Sequence, residues 1–261
     1  MVDLDPLIHE FYRDRYVEDD RLIRSGHGRL EFVRTQEVLR RWLPPASDVL
    51  DVGGATGIHA RWLAADGHRV TLVDPVAEHV EQAATVGTFS AEIGDARHLR
   101  QADASVGVTL LLGPLYHLVE ASDRAQALSE ALRVTRPGGL VIAAGINRYG
   151  GLLEAGSNGH LSAENLHVYT EAFASGRIDG KSGFTVAYFH HADELANELT
   201  TAGLTDVEVL GVEGPAANVL QNTPPDAVDP LLPSAVLLAR QVESDPNLRA
   251  ASQHFLASGR R

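Results

Sequence analysis

The chain has 261 residues, 44% hydrophobic and 22% charged, which is enough apolar material for a compact core of ordinary size. Acidic side chains outnumber basic ones 35 to 22, giving a net charge of −13. With no basic run to interrupt that balance, nucleic-acid and anionic-lipid binding are not expected. Cysteine is absent, so disulfides, thiolate nucleophiles and cysteine-ligated metals are excluded together.

Residues 1–44 read as a helical N-terminal segment. Met1 to Pro6 lack the basic-then-apolar pattern of a signal peptide, and no apolar stretch in the chain reaches the roughly 20 residues of a membrane helix. The expectation is a cytoplasmic protein. Leu7 and Phe11, then Phe32, Leu39 and Leu43, recur at helical spacing. Ser25-Gly26-His27-Gly28 interrupts them, predicting helix, loop, helix up to Pro44-Pro45.

Strand and helix then alternate. Val49–Val52 reads as a strand running into Gly53-Gly54-Ala55-Thr56-Gly57, and a helix with apolar Ile58, Trp62 and Ala65 follows. Next come strand Arg69–Asp74, helix Val76–Val86, strands Phe89–Ile93 and Val106–Leu112, and helix Ser122–Thr135. A turn at Pro137-Gly138-Gly139 leads into strand Leu140–Ile146. Such alternation predicts a doubly wound, mostly parallel α/β sheet, with ligands at the carboxyl ends of its strands.

From 147 to 190 the pattern lapses into short amphipathic pieces such as Glu164–Phe173, punctuated by glycines, as in a lid insertion. Tyr149, His160, His167, Tyr169, Phe184 and Tyr188 suggest an aromatic-walled pocket there. Regular structure resumes over 191–261 with helix Ala192–Ala202, strand Val207–Val212, a helix near Val228–Val242 and a strand near His254–Ser258. These bring the sheet to seven strands with an antiparallel edge.

The chemistry centres on Asp51-Val52-Gly53-Gly54-Ala55-Thr56-Gly57. A strand ending in a glycine turn that opens a helix exposes bare peptide groups to a ligand. A dinucleotide fingerprint needs glycine at the third and sixth positions of the turn, where this chain has Ala55 and Ile58. Asp51, one residue before the strand ends, suits a cationic ligand group instead. Gly180-Lys181-Ser182 contains the only lysine, but lacks the earlier glycine and the preceding strand of a P-loop.

This turn resembles that of the class I S-adenosylmethionine-dependent methyltransferases, an acidic-x-Gly-x-Gly-x-Gly sequence, with Ala55 in place of the middle glycine. The resemblance covers residues 45–146 and, more loosely, 192–260. It implies the Rossmann-like methyltransferase fold, S-adenosylmethionine as cofactor, and Asp51 facing the cofactor's amino group. It also implies Gly53, Gly54 and Gly57 as backbone contacts. Asp74 matches the acidic residue that holds the ribose hydroxyls, being acceptor-only. In Gly94-Asp95-Ala96, Asp95 matches the position that accepts from the adenine amino group; Pro75, Ala96 and Leu112 are further expected cofactor-binding residues.

His117, after the fourth strand, stands where the family places catalytic or substrate-contacting residues, and an imidazole there is the first candidate for a general base. His190 and His191 are further candidates. Tyr16 and Arg29 of the N-terminal segment are expected to contact the cofactor carboxylate or the substrate, since arginine pairs with carboxylates through two hydrogen bonds. No metal site is expected. The function implied is O- or N-methyl transfer to a small molecule by in-line displacement. The alternative is a protein that binds the cofactor without turning it over, as a sensor or partner subunit.

Overall fold

A computed structural model of the chain describes residues 22–179 and 185–261. Helix α1 (Gly26–Trp42) begins where a break was expected: Ser25 is its N-cap, accepting from the Gly28 N–H at 2.9 Å through Oγ. The glycines therefore lie inside the helix. A Cβ on Gly26 would sit 2.5 Å from the Leu220 carbonyl, so the first turn needs glycine to pack against the C-terminal part of the chain.

The sheet strands are β1 (Asp48–Val52), β2 (Arg69–Asp74), β3 (Ser90–Ile93), β4 (Val106–Leu111) and β5 (Thr135–Ile146), followed after the insertion by β8 (Thr205–Gly211) and β9 (His254–Arg260). Their order is β3-β2-β1-β4-β5-β9-β8. The first five are parallel; β9 is antiparallel to both β5 and β8. The expected seven-stranded, doubly wound sheet with antiparallel pairing at one edge is what forms.

Side chains alternate between the two faces. Val49, Val70, Leu72, Val108, Leu110 and Ile142 face Leu39 and Leu43 of α1 and its C-cap, Trp62 and Leu63 of α2 (Ile58–Ala65), and Ala83 of α3 (Ala77–Ala84). Leu50, Val52, Leu111 and Val141 face the other way. There they meet Leu115 of α4 (Pro114–His117), Leu128 and Ala131 of α5 (Ala121–Val134), and Leu195 and Leu199 of α8 (Ala192–Thr201).

Two sequence expectations need correcting here. Pro137-Gly138-Gly139 does not end a turn before β5; the strand runs from Thr135, with a register shift against β4. A Cβ on Gly139 would lie 2.6 Å from the Gly107 carbonyl, so the glycine serves close strand approach. The long helix near Val228–Val242 is shorter. Between β8 and β9 the chain forms α9 (Ala217–Gln221) and α10 (Leu232–Val242), and Leu220, Val228 and Val236 pack on Leu30 of α1.

The joint between α1 and this C-terminal part is also ionic. Arg34, wholly buried, donates to Glu37 at 2.7 Å, to the Val212 carbonyl at 3.2 Å and to Glu243, while Arg41 also pairs with Glu243.

The 147–190 insertion contains α6 (Gly150–Ser157), α7 (Leu166–Ser175) and the ribbon of β6 (Arg177–Asp179) and β7 (Val186–Tyr188). Among the described residues, Tyr149, His160, His167, Tyr169 and Tyr188 do not line the main cleft of the molecule. Tyr149 packs edge-on against Phe173 at 4.5 Å, and Tyr188 stacks under Arg124. Phe184 lies outside the described residues. Among the described residues, no helix is long and apolar enough to cross a membrane.

Candidate functional site

A cleft of about 670 Å³ opens at the carboxyl ends of β1, β2 and β4, in the size range of small-molecule sites. Gly53, Gly54, Asp51, Asp74, Pro75, Asp95, Ala96, Leu112 and His117 all line it, so most of the sequence-derived positions converge on one place.

The glycine turn owes its shape to backbone demands. Gly53 has φ +73° and a Cβ there would meet the Pro114 ring at 2.8 Å; Ala55, the departure from glycine, takes φ +47°. One expected contact is absent. Gly57 does not line the cleft: with φ +88° it is the N-cap of α2, and a Cβ would come within 2.5 Å of the Phe89 ring. Its glycine is required by conformation and packing.

Asp51 is buried in the cleft floor, and among the described residues its Oδ2 has no hydrogen-bond partner. Burial, and then the neighbouring Asp74 charge, push its carboxyl up to about 7. A carboxylate atom left bare in such a place is costly until a cation or donor meets it.

Asp74 ties the turn to the next strand. Its Oδ2 accepts from the Ala55 N–H at 2.9 Å, its Oδ1 from the Val76 N–H at 2.9 Å, and His79 Nδ1 lies 3.2 Å from Oδ1. Each carboxylate oxygen retains acceptor capacity. Asp95 is more heavily committed. Burial raises its pKa, but the Arg97 guanidinium at 2.7 Å and the Arg97 N–H at 2.8 Å outweigh that and hold the carboxyl below its usual range.

The histidines divide. The His117 ring opens on the cleft yet is packed round by protein, and burial lowers its pKa to about 4, against the opposing pull of a hydrogen bond with the Val186 backbone and of the Asp74 charge. At neutral pH such a ring is uncharged and weakly basic, which favours hydrogen bonding over proton uptake at this position. His190 and His191 are not brought to the cleft. His190 is buried beside Gly145 of β5 with Nε2 3.3 Å from Glu198, and His191 is the N-cap of α8, its N–H donating to Glu194 at 3.0 Å. Arg29 also points elsewhere, pairing with Asp229 at 2.5 Å, and Tyr16 lies outside the described residues.

Residues not anticipated also line the cleft: Glu31 and Thr35 of α1, His59 of α2, Val212 after β8, and His254 and Phe255 of β9. From the insertion come Arg177 and Val186. His27 and Glu31, one helical turn apart, share a face of α1, a spacing visible in the sequence. Their partners Glu213 and His254 come from the far end of the chain.

A family model for a methyltransferase domain matches residues 49–139, the stretch carrying the glycine turn, Asp74 and Asp95. That match spans about a third of the chain and agrees with the resemblance drawn from the glycine turn. Solved methyltransferase structures share the fold. One from Thermotoga maritima, described as a possible histamine N-methyltransferase, is 19% identical, covers 97% of this chain and 98% of its own, and has a TM-score of 0.61. A Haloferax volcanii methyltransferase in complex with the Trm112 activator is 19% identical over 98% of this chain and 97% of its own, with a TM-score of 0.58. The [4+2]-cyclase SpnF, 18% identical over 88% and 81%, has a TM-score of 0.54. No curated protein sequence matches this chain.

S-adenosylmethionine is the cofactor of the family, and the residues present fit it. Asp51 offers a bare, buried carboxylate oxygen to an ammonium group, and the turn at Gly53 and Gly54 is open to the cleft, while a Cβ on Gly54 would come within 2.7 Å of Asp51 Oδ2. Asp74 keeps lone pairs for hydroxyl donors.

Proposed function

We propose that this chain is an S-adenosylmethionine-dependent methyltransferase that transfers a methyl group to an oxygen or nitrogen atom of a small molecule. The observation that carries the proposal is Asp51 Oδ2, buried in the cleft without a hydrogen-bond partner among the described residues beside the open glycine turn. Bound there, S-adenosylmethionine would supply an electrophilic methyl group on a sulfonium. Asp51, Gly53, Gly54 and Asp74 would hold its amino-acid and ribose parts, with Pro75, Ala96 and Leu112 along the nucleoside and Asp95, anchored by Arg97, at its adenine end.

What the chain itself contributes is alignment and exclusion of water, which together supply much of the rate in such displacements. The space left for an acceptor lies towards Tyr116, His117, Val186 and the wall formed by α1 and β9. His117, uncharged, orients an acceptor by hydrogen bonding and does not take up its proton. An acceptor with a lone pair already free, such as a neutral amine or a carboxylate, is favoured. A cleft of this volume and a chain of net charge −13 both support a small acceptor over a nucleic acid.

The test is calorimetry with S-adenosylhomocysteine, followed by incubation with S-adenosylmethionine and fractionated small molecules, reading release of S-adenosylhomocysteine. Saturable binding that Asp51→Ala abolishes, with release driven by an acceptor fraction, is the expected result. Absence of binding overturns the assignment. Binding with no release from any fraction supports the sensor or partner-subunit alternative.

A further inference from the structure

We propose that His27, Glu31, Glu213 and His254 form a binding site for a first-row divalent cation of the zinc type, which meets the cleft through Glu31 and His254. The four residues come from three separate segments: α1, the turn after β8, and the first residue of β9. One ligand atom from each lies within 4.8 Å of all the others. Ligands on a single first-row ion bind at about 2.0–2.2 Å and so stand about 3–4 Å apart, and side-chain shifts of under an ångström close that difference.

The arrangement around Glu213 is that of a prepared ligand. Its carboxylate is wholly buried, and Oε2 is held by the backbone N–H groups of Gln253 and His254, both at 3.1 Å. That fixes Oε1 towards the imidazoles, with His254 Nδ1 at 2.5 Å and His27 Nε2 at 3.4 Å. Glu31 Oε2 stands 3.6 Å from the same His254 nitrogen. Hydrogen bonds that orient a ligand from behind are a regular feature of metal sites.

Two carboxylates and two neutral imidazoles carry two negative charges, which one divalent cation neutralises. Two nitrogen donors beside two oxygen donors select zinc, cobalt or iron over magnesium and calcium, which prefer oxygen throughout. Glu31 and His254 also line the cleft, so an ion held here would present any open coordination position to the acceptor space. That makes an anionic or lone-pair oxygen of the acceptor a natural further ligand. This placement does not depend on methyl transfer and is tested separately from it.

The experiment uses untagged full-length protein, dialysed against chelator and titrated with Zn²⁺, with metal content measured after desalting. Co²⁺ titration reads the same site through its visible absorption. The expected result is one ion per chain with submicromolar affinity, a cobalt band, and proton release that differs between buffers of different ionisation enthalpy. Glu31→Gln and His27→Gln, on partly exposed positions of α1, should each weaken binding at least about 100-fold while leaving the thermal melt of the metal-free protein within a few degrees. Substoichiometric binding, or equal affinity in wild type and both variants, overturns the site. The cluster is then a hydrogen-bonded carboxylate–imidazole group without an ion.

Discussion

Asp51 makes the sharpest prediction because its environment sets the sign as well as the size of the effect. Raising a carboxyl from 3.8 to about 7 corresponds to on the order of 4 kcal/mol of disfavoured ionisation in the folded protein, at about 1.36 kcal/mol per pKa unit. Because the folded-state pKa is the higher one, the folded protein holds an extra proton between those two values. Stability from this group is thus complete below about 3.8 and is lost as pH rises through about 7. Asp51→Asn, of the same shape but neutral, escapes that loss. Thermal unfolding of the ligand-free protein should show the variant matching wild type near pH 4, exceeding it increasingly up to about pH 7, and keeping a constant lead above that. At about 2–4 °C per kcal/mol for a domain of this size, the gap approaches ten degrees. The same variant should bind S-adenosylhomocysteine about 10–100-fold more weakly, since a charge-assisted hydrogen bond is worth about 1.5–3 kcal/mol. Parallel melting curves at all pH values would refute the burial argument, and unchanged affinity would refute the placement of the ammonium group.

Gly57→Ala should lower stability by about 1–3 kcal/mol through its left-handed φ and the Phe89 contact, read by denaturant titration. Adding Phe89→Leu should restore only the packing share. Removing Arg34 as Arg34→Met leaves Glu243 with Arg41 alone and should cost about 3–5 kcal/mol, again by denaturant midpoint. Turnover of His117→Gln should keep the wild-type pH profile from 6 to 8, whatever its level, because the imidazole is already uncharged there. Loss of a kinetic limb near pH 6.5 in that variant would show the histidine acting as a base after all.

Much of this architecture was legible because strands buried on both faces leave continuous apolar runs. Arg69–Asp74 was readable to the residue, and the carboxyl-end location of Asp51 and Asp74 followed from it. What the chain concealed were pairings set by distance. His190-His191 looked like site histidines because they precede a helix, but the register that pairs Asn147 with His190 buries His190 beside Gly145 and leaves His191 as the N-cap of α8. Glu213 and His254 meet α1 only because β9 inserts between β5 and β8. Gly26 read as a breaker, whereas contact with Leu220 some two hundred positions away decides its role. The insertion's aromatic residues matched a pocket by composition, yet Tyr149 and Phe173 satisfy one another.

The two ends of the insertion return to one point: Asn147 and His190 bridge in parallel, the His190 N–H donating to Ile146 at 2.7 Å and the Arg148 N–H to His190 at 2.9 Å. Such a clasp makes the intervening forty-odd residues an exchangeable cassette. If the proposed methyl transfer holds, replacing this segment, which brings Arg177 and Val186 to the cleft, should change which acceptors fit while the residues proposed to hold the methyl donor, all outside it in the chain, stay in place.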